Sequence, residues 1–202
     1  MAQLLESSDP GAPTGCRGWT AGDLWFHLFL DAQRALIALA TPAGSPPDRD
    51  YVTYWREWSS SDPDAREHAE FVRRVAAALG GREAGRWWLR TSQAVLRAAA
   101  TTPTGSVLAT QGHRLRLPDL LGTLAVEATV HHLDLLVGVQ GPRPAPLALT
   151  VSRLTLDGLM GAPCPCDWDD PTYLEKGTGR VELTAEELAQ LGGLGARFPL
   201  FS

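Results

Sequence analysis

The sequence predicts an all-α protein: a bundle of four or five helices with a short irregular C-terminal tail and one small β-hairpin. Three observations carry this. Apolar residues recur at helical spacing in five stretches, those stretches open at capping residues or prolines, and a strand-like alternation occurs only around Gln111-Gly112.

Residues 1–17, MAQLLESSDPGAPTGCR, read as a polar lead-in. Thr20 caps the first helix, with Asp23 placed to accept from its free N–H groups. Leu24, Leu28, Ala32, Ala35, Leu36 and Leu39 mark its buried face. The run TPAGSPPDRD ends it. A second helix opens with Asp62 as cap and Pro63 in its first turn, and stops at Gly80 and Gly81. A third runs through GRWWLRTSQAVLRAAA. Pro118 opens the fourth, PDLLGTLAVEATVHHLDLLVGV, and a fifth spans PLALTVSRLTLDGLMG. The chain then turns irregular, apart from a short helix announced by the capping box Thr184/Glu187. The expected division is a helical bundle over 1–160 and a tail packed on it over 161–202.

Composition narrows the function. The chain has 202 residues, 44% of them hydrophobic and 20% charged, which suits a globular protein with a real core. A formal net charge of −5 without clustered Lys and Arg argues against nucleic acid. No apolar run reaches the roughly 20 residues of a membrane span, and the N-terminus lacks the pattern of a signal peptide. Three cysteines are too few and odd in number for a disulfide framework, so a reducing cytoplasm is expected.

The chemistry-bearing residues lie on the first and fourth helices. His27 sits among Leu24, Trp25, Phe26 and Leu28. Glu127 and His131, four apart, share one face of the fourth helix with Leu120 and Leu124. A carboxylate facing a core needs a partner or a cation. Two His and one Glu form the three-ligand set of a catalytic zinc site, with a position left open. Ligand type favours Zn(II) and leaves Ni(II), Fe(II) and Mn(II) open. Asp134 follows His131 by three residues, where it can hold that ring's other nitrogen, and Asp23 or Asp31 can orient His27. His132 points to another groove, offset by about 100°. His68 and His113 read as surface or loop residues. Cys164 and Cys166 read as free thiols in a turn, and the tryptophans as packing.

GWTAGDLWFHL, followed a hundred residues later by VEATVHHLDLL, resembles the mycothiol-dependent maleylpyruvate isomerase family of the DinB-like metal-binding four-helix bundles. Gly18, Trp19, Thr20 and His27 match the first half of its pattern; Glu127, His131, Asp134 and Leu135 match the second. The resemblance implies a divalent metal on His27, Glu127 and His131, with the thiol of mycothiol, an actinobacterial cosubstrate, as fourth ligand. It further implies a small electrophile as substrate, undergoing S-transfer or isomerisation. Family members carry a C-terminal arginine in the site, for which Arg180 is the local stand-in, so Arg180 and Asp134 are the expected catalytic residues. Where the family pattern has an arginine three positions before the Glu, this chain has Leu124, which argues against maleylpyruvate itself. Two rivals stand beside this reading: a thiol-independent metal hydrolase or Lewis-acid cyclase, and a non-catalytic helical binding module. A homodimer is compatible with all three.

Overall fold

A computed structural model describes residues 1–57 and 63–201. Among these are eight α-helices and one two-stranded hairpin: α1 (Ala2–Ser7), α2 (Ala21–Leu39), α3 (Pro63–Leu79), α4 (Gly81–Thr101), β1 (Val107–Thr110), β2 (His113–Arg116), α5 (Leu117–Leu136), α6 (Pro146–Met160), α7 (Asp170–Gly177) and α8 (Ala185–Leu191). The mostly helical bundle with a small hairpin is the class the sequence predicts. No helix among the described residues is long and apolar enough to cross a membrane.

The local signals act as expected at most ends. Thr20 and Asp23 form a reciprocal capping box on α2, and Thr184 and Glu187 do the same on α8. The hairpin turns at Gln111 and Gly112, with φ of 47° and 78°. Positive φ at both central residues gives a turn whose twist matches the strands it joins. The predicted Asp62 cap lies outside the described residues.

Three expectations need correction. The lead-in is not all irregular: Leu4 of α1 is fully buried and anchors that short helix in the core. Six residues are too few to display a helical period, so its burial is decided by tertiary packing. Gly81 does not stop a helix. Gly80, at φ +84°, breaks the chain, and Gly81 begins α4 at once. A Cβ on Gly81 would come within 2.6 Å of the Gly22 Cα, so the glycine pair lets α2 and α4 approach closely. The tail carries α7 as well, capped by Asp169, whose side chain accepts from the Thr172 N–H.

Two apolar clusters form most of the core. One gathers Leu4, Leu24, Trp25, Val72, Ala84 and Leu135 around α2, α3 and α4. The other gathers Leu120, Val126, Val130, Leu156, Tyr173, Leu174 and Phe201 around α5, α6 and the tail. Helix α5 contributes to both. Polar side chains on its remaining face, turned toward α2, therefore lie between two apolar masses. That seam holds the candidate site.

Candidate metal centre

The Gly18-Trp19-Thr20 motif sets up the helix that carries His27. Gly18 adopts φ +77°, which a side chain would disfavour. Trp19 then meets the His27 ring edge-on, centroids 5.2 Å apart. Asp23 is committed to the cap: its Oδ2 accepts from both the backbone N–H and the hydroxyl of Thr20 at 2.8 Å. It is not the group that orients His27.

His27 of α2 meets Glu127 and His131 of α5. The Nε2 atom of His27 lies 3.0 Å from Glu127 Oε1, and Nε2 of His131 lies 3.3 Å from the same oxygen. The two imidazoles are nearly perpendicular, with centroids 4.8 Å apart. Donors about 2.0–2.1 Å from a tetrahedral Zn(II) stand roughly 3.3 Å from one another, so donor types and spacing both fit a divalent cation. The cluster is mostly buried and reaches solvent over His27 and Glu127, whose side chains are 13% and 18% exposed. Burial pushes the Glu127 carboxyl up, but hydrogen bonds from His131 and His27 outweigh it and hold the group well below the usual range.

Behind His131 lies a second layer. Asp134 Oδ2 accepts from His131 Nδ1 at 2.8 Å. Arg180 grips the same carboxylate with a fork: Nε donates to Oδ1 at 3.3 Å and Nη2 to Oδ2 at 3.2 Å. Burial opposes the charge on Asp134, yet His131 and Arg180 keep its carboxyl far below the ordinary range. Burial likewise works against a charged His131, and the Cys16 sulfur, Asp134 and Glu127 overcome it, so that ring titrates well above its usual value.

Cys16 belongs to this layer, and sequence reasoning missed it. Its Sγ donates to Asp134 Oδ2 at 3.1 Å and lies 3.6 Å from His131 Nδ1. Cys16 lies outside any helix or strand, so no periodic spacing marks which way it faces. The only local hint is Gly15, whose N–H donates to the Asp134 carbonyl at 2.9 Å. A Cβ there would fall 2.4 Å from Asp134 Oδ1. Cys16, His131 and Asp134 are also close enough to hold a cation. The Arg180 guanidinium already supplies positive charge there, 3.2 Å from Asp134 and 4.0 Å from the sulfur, which disfavours a second one.

On the solvent side, His68 is not an uninvolved surface residue: α3 brings its Nε2 to 3.4 Å from His27 Nδ1. Asp31 Oδ2 lies 3.3 Å from His27 Nε2, the nitrogen that faces Glu127, so Asp31 does not hold the outer nitrogen of the ring. Its Oδ1 pairs with Arg34 Nη2 at 3.1 Å. Arg34 Nη1 in turn donates to Tyr54 Oη at 2.9 Å and to Gln111 Oε1 at the hairpin tip. Burial is the main force raising the Asp31 carboxyl above its usual value. Burial also pushes the Tyr54 phenol up to about 12.

The remaining candidates lie elsewhere. His132 places Nε2 2.8 Å from the Pro142 carbonyl, away from the cluster. Trp25 packs against Trp88, Trp55 stacks on Phe201, and Trp58 lies outside the described residues. Cys164 and Cys166 are free thiols, the latter buried.

Fold and site together define a helical bundle that presents a His/Glu/His cluster between two of its long helices. Residues 1–136 match the family described as the mycothiol maleylpyruvate isomerase N-terminal domain, and the chain belongs to that family. No curated protein and no solved structure matches it. The matched segment contains His27, Glu127, His131 and Asp134, and stops short of Arg180.

Proposed function

We propose that this protein is a thiol-dependent transferase or isomerase built on a divalent cation, Zn(II) by preference, held by His27, Glu127 and His131. The observation that carries the reading is the convergence of two imidazole nitrogens on Glu127 Oε1, at 3.0 and 3.3 Å. Family membership supports mycothiol as the cosubstrate and a small electrophilic metabolite as its partner. A bound cation would supply one thing: it would favour the deprotonated form of a sulfur placed beside it, which is the nucleophilic form.

The chain's own groups do the positioning. With Nε2 of each ring turned to the cation, the proton sits on Nδ1. His131 then donates to Asp134, and His27 donates to His68. Arg180 fixes Asp134 in place. Asp134 and Arg180 thus serve as positioning residues, behind the site, rather than as groups that touch substrate. A carbon electrophile approaches over the side where His27 and Glu127 reach solvent. A cytoplasmic setting fits a thiol cosubstrate and three unpaired cysteines.

The test is product analysis by mass spectrometry. Zinc-loaded protein is incubated with mycothiol and a panel of α,β-unsaturated acids and epoxides. An S-conjugate or a cis/trans isomer is expected with the wild type and none with Glu127→Ala. Zinc absent from the wild type after loading and dialysis, or product formed equally by both proteins, would defeat the proposal.

A further inference from the structure

Away from the metal centre, Cys164 and Cys166 flank Pro165 in the segment between α6 and α7, both as free thiols. The backbone N–H of Cys164 donates to Asp157 Oδ1 at 3.0 Å, which ties this segment to the last turn of α6. The chain bends at Cys166, and both side chains pack in the core cluster of α5, α6 and the tail. Their exposure differs: Cys166 is buried, at 6%, whereas Cys164 keeps a solvent-facing part. The Cys166 thiol donates to the Cys164 sulfur; burial, and after it that neighbouring sulfur, pushes the Cys166 thiol above its usual range. Residues two apart stand at most about 7 Å from Cα to Cα. A disulfide spans about 4.4–6.8 Å between the same atoms. Two sulfurs already in contact can therefore join by local adjustment, without moving α6 or α7. Cys16 is engaged with Asp134 and stands outside this pair.

We propose that Cys164 and Cys166 form a thiol–disulfide exchange couple that reacts with the disulfide of a low-molecular-weight thiol, Cys164 attacking and Cys166 resolving. The Cys164 thiolate attacks one sulfur of the small disulfide. A bond forms from Cys164 to that sulfur, the small disulfide's own bond breaks, and one thiolate leaves and takes a proton from water. Cys166 then loses its proton to water and attacks Cys164 Sγ in the mixed disulfide. The protein disulfide forms and the second small thiol departs. The two cysteines lose two electrons and two protons, and the small disulfide gains both as it becomes two thiols. Exchange needs access to the sulfur attacked, so the reagent meets Cys164 first, and the buried Cys166 reaches only its neighbour. Once Cys164 is in the mixed disulfide it bears no charge, so it no longer opposes a thiolate on Cys166. The couple goes beyond the proposed function and does not depend on the cation.

The test incubates full-length protein with glutathione disulfide, quenches in acid, alkylates with N-ethylmaleimide and digests with trypsin. Both cysteines then fall on one peptide, residues 154–176, for mass spectrometry. The wild type is expected to yield this peptide two hydrogens lighter, free of glutathione and maleimide, and to recover both thiols in dithiothreitol. Cys166→Ser is expected to hold one glutathione on Cys164. Cys164→Ser is expected to take glutathione on Cys166 roughly tenfold more slowly, because that thiol is buried. Circular dichroism confirms that both variants are folded, and in urea their rates should converge, which assigns the difference to the fold. A folded wild type that keeps both thiols, under conditions that oxidise the same peptide in urea, overturns the proposal. So does a wild type that stops at the mixed disulfide; neither result needs a variant. Equal rates for the two folded variants overturn the division into attacking and resolving sulfurs, and the proposal with it.

Discussion

His131 Nδ1 meets Asp134 Oδ2 at 2.8 Å while Nε2 of the same ring faces Glu127 at 3.3 Å. A carboxylate on one nitrogen fixes the tautomer and the angle of the other. Asp134→Asn keeps the shape and loses the charge. Its zinc affinity is expected to fall about 10–100-fold, as measured by competition with a chromophoric chelator. Affinity equal to the wild type would show that the ring is held by packing alone.

Arg180 meets the site through the guanidinium fork that it places on Asp134, with Nη2 also 4.0 Å from the Cys16 sulfur. Arg180→Met therefore leaves a carboxylate of 2% exposure with one partner fewer. Breaking a fully buried pair costs about 3–5 kcal/mol. Arg180 is 19% exposed, so a loss nearer 2 kcal/mol is expected in urea unfolding of metal-free protein. Zinc affinity should fall alongside it. A variant with a raised KM for the electrophile and untouched zinc affinity would instead make Arg180 a substrate contact.

Gly15→Ala tests how the N-terminal loop supports the centre. The new Cβ would stand 3.1 Å from the Asp134 Cα as well as 2.4 Å from its Oδ1, so a side-chain rotation alone gives no relief. The loop must move away, taking Cys16 and the Gly15–Asp134 backbone bond with it. Overpacking of this kind costs about 1–3 kcal/mol. A lowered melting temperature together with weaker zinc binding is expected. Gly11→Ala, where the nearest atom is 3.7 Å away, is the control.

What the sequence reveals of this site follows from how far each interaction reaches along the chain. Glu127, His131 and Asp134 share one helix, so their spacing alone places them on one face, and their apolar neighbours turn that face inward. His27 is legible by the same inward pattern, aided by its Gly-Trp-Thr lead. Cys16 and His68 carry no such periodic mark: one sits in a loop and the other on an exposed stretch of α3, and only the packing of α2 against α3 and α5 brings them in. Asp31 illustrates a finer limit. Its i+4 spacing from His27 predicts contact, but which ring nitrogen it meets depends on rotamers, and that choice changes its role from orienting the ring to facing the open side. Helix α1 was hidden for a related reason, since a single buried Leu4 leaves no period to read.

The two charged states of the site make opposite demands on pH. In metal-free protein His131 titrates well above its ordinary value, with burial opposing and Cys16, Asp134 and Glu127 prevailing. A raised folded-state pKa contributes stability that is fully present below the unfolded value of about 6.5 and is lost as pH rises through the folded value. Asp134 runs the other way: its depressed value adds stability above its unfolded value, and that is lost only as pH falls into strong acid, so it leaves the neutral range unchanged. Metal-free protein is therefore expected to melt at lower temperature as pH climbs from about 6.5 toward 9. Zinc takes the place of the Nε2 proton, and competition from that proton fades over the same interval. The melting temperature at fixed free zinc should then rise with pH relative to the metal-free protein. Calorimetry on chelator-treated and zinc-loaded samples across this interval checks both slopes. Parallel curves for the two samples would mean that no ion displaces the His131 proton, and the centre would have to be sought elsewhere.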